Sequence, residues 1–212
     1  MSVYYDGQVL VHRVPMGSYD NNGYVVVCPR TYQSVVIDTP GEPEKLIAAT
    51  HGTDVRAILI THTHQDHLVG FEDLRSGLGA PVGVHSTEAG NLPSPPGFHL
   101  AEGFEIAVGS LVLRVIHTPG HTPGSACFLV GHHLFTGDTL FPGGPGHTRT
   151  PQGLRQIVSS INDKLLVLPD YTVVHPGHGS PTTIGLAREE YADFAGSAHP
   201  QDLCGDVLWR SS

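Results

Sequence analysis

One short polar segment, directly after an apolar run at residues 55–60, carries four side chains of types that bind metal ions: His62, His64, Asp66 and His67. Alternate side chains of an extended backbone point to the same side, so His62 and His64 can grip one cation. Asp66 and His67 follow where the chain leaves the strand, and a turn there aims both at a neighbouring point. The segment therefore predicts two adjacent cations. The alternative is a polar loop rich in histidine, but crowding four such groups without a metal costs desolvation and charge repulsion.

The order of apolar runs predicts the fold class. The chain has 212 residues, 39% hydrophobic, with 26 Gly and 17 Pro, which indicates a sizeable core built from short elements joined by many turns. Strands are expected at residues 9–14, 23–28, 34–37 and 55–60, and the mixture of strands and helices resumes from residue 102 onward, with a helix at 152–165. Mixed strands with interspersed helices predict an α/β sandwich of two sheets flanked by helices. Composition shows no break that would divide the chain, so we expect a single domain over residues 1–212.

The net charge indicates which classes of partner are expected, and the cysteine content indicates the cellular compartment. The formal net charge is −9 and no run of Lys or Arg occurs, which argues against a nucleic-acid surface. The N-terminus does not resemble a secretory leader, and no apolar stretch approaches the roughly 20 residues that span a bilayer. No membrane partner is therefore expected. Cys28, Cys127 and Cys204 are far apart, which fits a reducing compartment. We therefore expect a cytoplasmic protein acting on a small molecule; the oligomeric state is not predicted.

Three further strand ends carry ligand-type residues. His121 lies in a rigid Pro-Gly loop after the strand at 111–116 and is a better candidate than His117 at the strand end. Asp138 and His178 each follow another apolar strand. Taken singly these signals are weak, since a lone Asp at a strand end is usually a turn former or helix cap. Together they place ligand types on four short loops projected from a sheet, which is where active sites are expected.

This ordered set of residues resembles the metallo-β-lactamase-fold hydrolase superfamily, over roughly residues 20–190. The runs Gly-His-Thr-Pro-Gly-Ser at 120–125, Thr-Gly-Asp-Thr-Leu-Phe at 136–141 and Pro-Gly-His-Gly at 176–179 are similar to its glyoxalase II (hydroxyacylglutathione hydrolase) branch. The resemblance implies an αββα sandwich with the site at one edge, between the two sheets. It also implies two divalent metal ions, with Zn expected first and Fe or Mn as alternatives.

The resemblance also implies a role for each site residue. Asp38 would accept a hydrogen bond that orients a ligand histidine; the alternative is an ordinary turn Asp before Thr39. The metal ligands it implies are His62, His64 and His121 for the first ion, Asp66, His67 and His178 for the second, and Asp138 bridging both.

The implied reaction is hydrolysis of a thioester or related ester by a hydroxide held between the two metals. Asp66 is expected to orient that hydroxide or to move a proton after attack. The bridging Asp138 argues against antibiotic hydrolysis, because true β-lactamases of the superfamily lack it in this role. A mononuclear iron persulfide dioxygenase, a lactonase of the same fold and a non-enzymatic binding module remain as alternatives.

Two segments depart from the glyoxalase II pattern. Residues 142–149 lack the usual Gly-Arg-Thr-Asp form, so His147 and Arg149 either contact a substrate carboxylate or phosphate or belong to an ordinary surface loop. The tail, residues 189–212, is too short for the C-terminal helical domain that binds glutathione. The sequence therefore leaves open whether glutathione is part of the substrate.

Overall fold

The computed structural model describes residues 1–210 and contains two β-sheets packed face to face. The strands of the first half are β1 (Ser2–Tyr5), β2 (Leu10–Met16), β3 (Asn21–Val27), β4 (Gln33–Ile37), β5 (Asp54–Leu59), β6 (Val82–His85) and β7 (Phe98–Leu100). Those of the second half are β8 (Glu105–Val108), β9 (Leu111–His117), β10 (Ala126–Val130), β11 (His133–Gly137), β12 (Leu140–Phe141), β13 (Gly144–Pro145), β14 (Val173–Pro176) and β15 (Thr182–Thr183). The first sheet has the spatial order β1 to β7, the second the order β15-β14-β11-β10-β9-β8, and β12 and β13 form a separate hairpin.

Parallel pairing brings the functional strand ends together. β4 and β5 are parallel, with Ile37 opposite Leu59, so the residues that follow the two strands leave the sheet side by side. In the second sheet β11 and β14 are parallel, with Gly137 opposite Pro176. The carboxyl ends of parallel strands meet at one edge of a sheet, and ligands bind outside that edge in open α/β sheets. The candidate ligands after these strands therefore share one end of the sandwich.

Two pairs of helices cover the outer faces of the sheets. They are α1 (Pro43–Ala49) and α2 (Phe71–Leu78) on the first sheet, and α3 (Pro151–Ser160) and α4 (Ile184–Ala195) on the second. Between the sheets lies a cluster of fully buried side chains that includes Val26, Leu59 and Phe128. Leu46 of α1 and Leu74 of α2 are buried against the outer face of the first sheet. The predicted αββα sandwich is confirmed.

Local chemistry explains where the helices begin. Pro151 lies in the first turn of α3, where a missing N–H is tolerated, and the Thr150 hydroxyl accepts a hydrogen bond from Gly153 N at 3.0 Å. The helical span predicted at 152–165 is confirmed, but the type of helix changes within it. α3 ends at Ser160 and a wider π-helical turn follows, over Ile161–Leu165. Both Ile161 and Leu165 are fully buried, so the wider turn keeps these two apolar side chains in the core.

Several short strands are not foreseen by the sequence pattern. β7 follows directly on the Pro-rich stretch at 91–97, and β12, β13 and β15 have two residues each. Cys28 and Cys127 are buried, as expected for small apolar side chains. Within residues 1–210, no helix has both the length and the apolar character that crossing a membrane requires.

Candidate metal centre

All seven predicted ligands lie at one end of the sandwich, on four loops. The segment after β5 carries His62 and His64, and the 3₁₀ turn Gln65–His67 that follows it carries the next two ligands. The others come from the β9–β10 loop and from the ends of β11 and β14. The structure brings them together as two groups: His62, His64, His121 and Asp138 in the first, and Asp66, His67 and His178 in the second.

Three imidazole nitrogens of the first group converge on one point. Nε2 of His62 lies 3.1 Å from Nδ1 of His64 and 3.3 Å from Nε2 of His121, and the third pair is 2.9 Å apart. A neutral imidazole carries one N–H, so three mutually facing nitrogens cannot all be satisfied by hydrogen bonds to one another. A cation at the centre of the triangle satisfies all three lone pairs. The arrangement therefore fits a metal ion.

The second group places a carboxylate beside two imidazoles. Nε2 of His178 is 3.2 Å from Oδ2 of Asp66 and 3.3 Å from Nε2 of His67. Nε2 of His67 lies 3.5 Å from the same Asp66 oxygen. A site with two imidazole nitrogens and one carboxylate oxygen suits a borderline cation such as Zn²⁺, Fe²⁺ or Mn²⁺.

Asp138 stands between the two groups. Its Oδ2 is 3.6 Å from Nε2 of His121 and 3.4 Å from Nε2 of His178, and its Oδ1 is 3.3 Å from Nε2 of His67. Oδ1 is buried and accepts no well-aligned hydrogen bond from any residue in 1–210. A buried carboxylate oxygen without a partner is costly unless it meets a cation. The position of Asp138 therefore fits the predicted bridging role.

The close packing also fixes the protonation of these groups when no cation is bound. Burial opposes ionisation of Asp138, but the neighbouring His67 and His178 outweigh it and hold its pKa well below the usual range. Burial also disfavours protonated His178, yet hydrogen bonds to Asp138 and Asp66 raise its pKa to about 10. Burial, reinforced by His67, lowers the pKa of His62 well below its usual value. The carboxylates are thus ionised, and a bound cation would take the place of the proton that they attract to the imidazoles.

Hydrogen bonds from outside the two groups orient the ligand rings. Nδ1 of His121 donates to the carbonyl oxygen of His147 at 2.8 Å, and Nδ1 of His178 donates to that of Tyr19 at 2.7 Å. A carbonyl only accepts, so each ring carries a proton on Nδ1, and Nε2 is the atom that a cation would bind in place of a proton. This is the tautomer that a metal ligand needs.

Asp38 lies beneath the second group, as predicted, and is more than a turn residue. Its Oδ2 is 3.0 Å from Nδ1 of His67, and its Oδ1 accepts a hydrogen bond from Thr61 N at 2.8 Å. The Thr61 hydroxyl also donates to this carboxylate. Asp38 is 1% exposed and adopts a left-handed backbone with φ of 60°, which Asp tolerates better than most residues. Its contacts match the predicted orienting role.

Two supporting residues were not predicted from the sequence. Asn21, at the start of β3, donates from Nδ2 to Oδ2 of Asp66 at 2.9 Å. Glu88 is 2% exposed; its Oε1 accepts from Gly124 N at 2.9 Å and its Oε2 accepts from the Thr63 hydroxyl. Glu88 therefore ties the loop of His62 and His64 to the loop of His121. Nothing in the local pattern around residue 88 marks it, because its partners are distant in sequence.

Besides a cavity that reaches Asp66, two cavities open on the centre, and His121 lines both. The first, about 310 Å³, has a mainly apolar wall and also contacts Asp138 and His178. The second, about 300 Å³, is polar and is lined by Thr63, His64, Glu88, Asn91, Thr122, Pro123 and Arg149. A larger cavity of about 490 Å³, next to α3, contains none of the seven ligands.

The structure places His147 and Arg149, the two loop residues for which the sequence left two roles open, in different surroundings. His147 makes an exposed hydrogen bond, from Nδ1 to Oδ1 of Asp206, at 3.0 Å. Arg149 is exposed, lines the polar cavity and makes neither an ion pair nor a side-chain hydrogen bond with residues 1–210. Of the two, Arg149 is the one whose guanidinium remains available to an anionic group.

The chain is similar in sequence and in fold to several known proteins. It is 36% identical over 207 residues to the hydroxyacylglutathione hydrolase of Anaeromyxobacter dehalogenans, covering 89% of this chain and 80% of the relative. Among solved structures it resembles TTHA1623 in a di-iron-bound form, with a TM-score of 0.71, 36% identity, and coverage of 82% of this chain and 96% of that one. It also resembles the BLEG-1 B3 metallo-beta-lactamase, with a TM-score of 0.76, 30% identity, and coverage of 84% and 96%.

The family is set by the sequence as well as by the fold. Residues 17–178 match the model of the metallo-beta-lactamase superfamily, and this span contains all seven candidate ligands. Together with the two-group His/Asp cluster at the edge of an αββα sandwich, this match shows that the chain belongs to the metallo-β-lactamase superfamily.

Proposed function

We propose that this protein is a hydrolase that uses two divalent cations to cleave a thioester or a related ester. The observation that carries the proposal is the carboxylate of Asp138, which lies between a three-histidine group and a second group with two histidines. A bridging carboxylate holds two cations at the separation at which they act on one substrate. The likeness to a hydroxyacylglutathione hydrolase at 36% identity supports the same reaction class.

The cations would be held by the seven ligands as predicted. His62, His64 and His121 would bind the first, Asp66, His67 and His178 the second, and Asp138 both. When bound, such a pair lowers the pKa of water toward neutrality and polarises a carbonyl oxygen. The donor set has no thiolate and therefore does not select Zn strongly over Fe or Mn. Zn remains our first expectation, and the di-iron relative supports iron as the second.

Asp66 is the residue that we propose to handle protons. Its Oδ2 accepts from Asn21 and lies beside Nε2 of His178, while the other oxygen makes no hydrogen bond with residues 1–210. Asp66 is only partly buried, and a cavity next to the centre reaches it. A carboxylate fixed on one oxygen and open on the other can orient a nucleophile and accept its proton.

A thiolate leaving group favours thioesters over amides, because it departs without needing a strong general acid. Arg149, in the polar cavity, stands where a departing thiolate or a carboxylate on the thiol would be stabilised. We do not extend the proposal to glutathione itself, since residues 142–149 differ from the glyoxalase II form. A small-molecule substrate, with neither nucleic acid nor membrane as partner, is part of the same proposal.

A second function rests on one feature of the site. The first group alone offers three imidazoles and a carboxylate, which is a complete set for a single iron ion. A mononuclear iron persulfide dioxygenase would need no metal ligands beyond these four. The likeness to a B3 metallo-beta-lactamase makes a β-lactam a further substrate to test, although the predicted role of Asp138 argues against it.

Metal analysis combined with a substrate panel separates these functions. The protein, purified without added metal, is assayed with lactoylglutathione, other thioesters, an acyl-homoserine lactone, a cephalosporin and glutathione persulfide. Two metal ions per chain with thiol release support the proposal. One iron per chain with oxygen uptake on the persulfide, and no thiol release, would overturn it.

A further inference from the structure

The segment after α4 forms part of the wall of the active-site cleft. We call residues 203–209 the C-terminal strap. It runs beside the loop that follows Asp138: Thr148 and Gly205 exchange two backbone hydrogen bonds, of 3.1 and 2.8 Å. Trp209 N donates to Gly143 O at 2.8 Å. These bonds fix the strap against the loop at both ends of the apolar cavity.

A large side chain anchors the strap. Trp209 is 4% exposed and packs in the second-sheet core, with its ring centroid 5.2 Å from that of Tyr191. Val207 is 7% exposed and belongs to the same core cluster. Gly144 lets the strap approach, since a Cβ there would lie 2.7 Å from the Val207 carbonyl oxygen. The strap is therefore a built element of the fold.

Leu208, between these two anchored residues, is 67% exposed and lines the apolar cavity. Phe141, Pro142 and Pro145 line the same cavity from the opposite loop, and the hydrogen-bonded pair His147 and Asp206 is the polar part of its lining. The cavity reaches the metal centre directly, because His121, Asp138 and His178 form its floor. An apolar wall continuous with a catalytic floor stabilises an apolar part of a substrate by removing it from water.

We infer that the strap forms the acyl-binding wall of the enzyme and selects thioesters whose acyl group is an unbranched or short branched hydrocarbon. This inference rests on the thioester hydrolysis proposed above. The assignment of the two cavities follows from charge. The thiol side gains negative charge as the C–S bond breaks, and placing that charge against an apolar wall is costly. The polar cavity with Arg149 suits the thiol side, and the strap side suits the neutral acyl chain.

The test compares acyl chain lengths on one thiol. We would measure kcat/KM for N-acetylcysteamine thioesters from acetyl to hexanoyl with the metal-loaded wild type, Leu208→Ser, Leu208→Phe and the control Leu186→Ser. Leu186 is 52% exposed on α4 and lines neither cavity. The wild type and the control should gain about twofold to fourfold per methylene, the range expected for partial to full burial of a CH₂. Leu208→Ser should flatten this slope, and Leu208→Phe should fill the cavity and favour acetyl.

A binding measurement needs no turnover. Trp209 is the only tryptophan of the chain and neighbours Leu208, so its fluorescence reports ligands at the strap. Titration with acetate to hexanoate should give tighter binding with each methylene in the wild type and a flat series in Leu208→Ser. An unchanged slope in Leu208→Ser, in either assay, overturns the acyl-wall inference. Wild-type protein that binds the longer acids at the strap but releases no thiol from any thioester contradicts the proposed function instead.

Discussion

Replacing Asp38 by Asn tests how the second metal group is oriented. Asn tolerates the left-handed backbone with φ of 60° that Asp38 adopts, so the change is confined to the side-chain atoms. The Asp38 carboxylate accepts from Thr61 N, from the Thr61 hydroxyl and from Nδ1 of His67. An amide offers one acceptor oxygen and one NH₂ donor, so it cannot serve all three donors.

Each orientation of the amide has a definite cost. If its NH₂ faces His67, it donates to Nδ1, and the ring must hold its proton on Nε2, the atom that faces Asp138. A protonated nitrogen cannot bind a cation, and losses of this kind lower metal affinity about 10-fold to 100-fold, or about 1.4 to 2.8 kcal/mol. If the NH₂ faces Thr61 N instead, two buried donors oppose each other and stability falls by about 1 to 3 kcal/mol.

The assay is metal affinity by chelator competition, together with urea unfolding of the metal-free protein. Asp73→Asn, an exposed change on α2, is the matched control and should leave both quantities unchanged. If Asp38→Asn binds Zn within twofold of wild type and unfolds at the same urea concentration, Asp38 does not orient His67 and the reasoning is refuted.

Three more substitutions have defined outcomes. Gly177→Ala should place a Cβ against Oδ1 of Asp138 and 2.7 Å from Cε1 of His67, and should lower metal affinity at least about 10-fold. The control Gly90→Ala, whose Cβ would meet nothing within 4 Å, should leave metal affinity unchanged. Equal metal affinities of the two variants in calorimetry would contradict the close approach at Gly177. Glu88→Ala removes two hydrogen bonds to a buried carboxylate and should lower the free energy of unfolding in urea by about 2 to 4 kcal/mol. The exposed control Glu72→Ala should lower it by less than about 0.5 kcal/mol. Similar losses in the two variants would show that Glu88 does not join the two loops. Burial, reinforced by His133, lowers the pKa of His175 to about 3. Between about pH 6.5 and pH 3 the unfolded chain therefore binds more protons than the native state. The free energy of unfolding should fall as the pH drops, and this group should contribute about 2 kcal/mol of that loss at pH 5. In His175→Gln the fall between pH 7 and pH 5 should be smaller by that amount, and identical urea profiles would exclude the contribution.

The ligands could be predicted because each follows an apolar strand in the sequence. His62 to His67 come directly after β5, and Asp138 and His178 come after β11 and β14. Parallel pairing brings together the ends of β4 and β5 in one sheet and of β11 and β14 in the other, whereas the grouping of the seven ligands around two ions was predicted from the resemblance to the superfamily. The role of Asp38 was also predicted from the resemblance, and its place after β4, the neighbour of β5, puts it at the same end of the sheet.

What could not be predicted depends on partners distant in sequence. Glu88 makes its hydrogen bonds to Thr63 and Gly124, and no local spacing relates the three positions. The C-terminal strap has no periodic pattern, and it is held by backbone bonds to Gly143 and Thr148. Short strands such as β12 and β13 likewise exist only because a neighbouring segment completes their ladder. Tertiary context, rather than propensity, sets these features.

The most direct test is a metal titration of the metal-free protein. Zn²⁺, Mn²⁺ or Fe²⁺ is added in fractions of an equivalent, and thiol release from a thioester is followed at each step, with Asp138→Ala in parallel. Two cations bridged by Asp138 predict activity that rises to a maximum at two equivalents per chain, and loss of that activity in Asp138→Ala. Full activity at one equivalent, or undiminished activity in Asp138→Ala, would contradict a two-metal hydrolase.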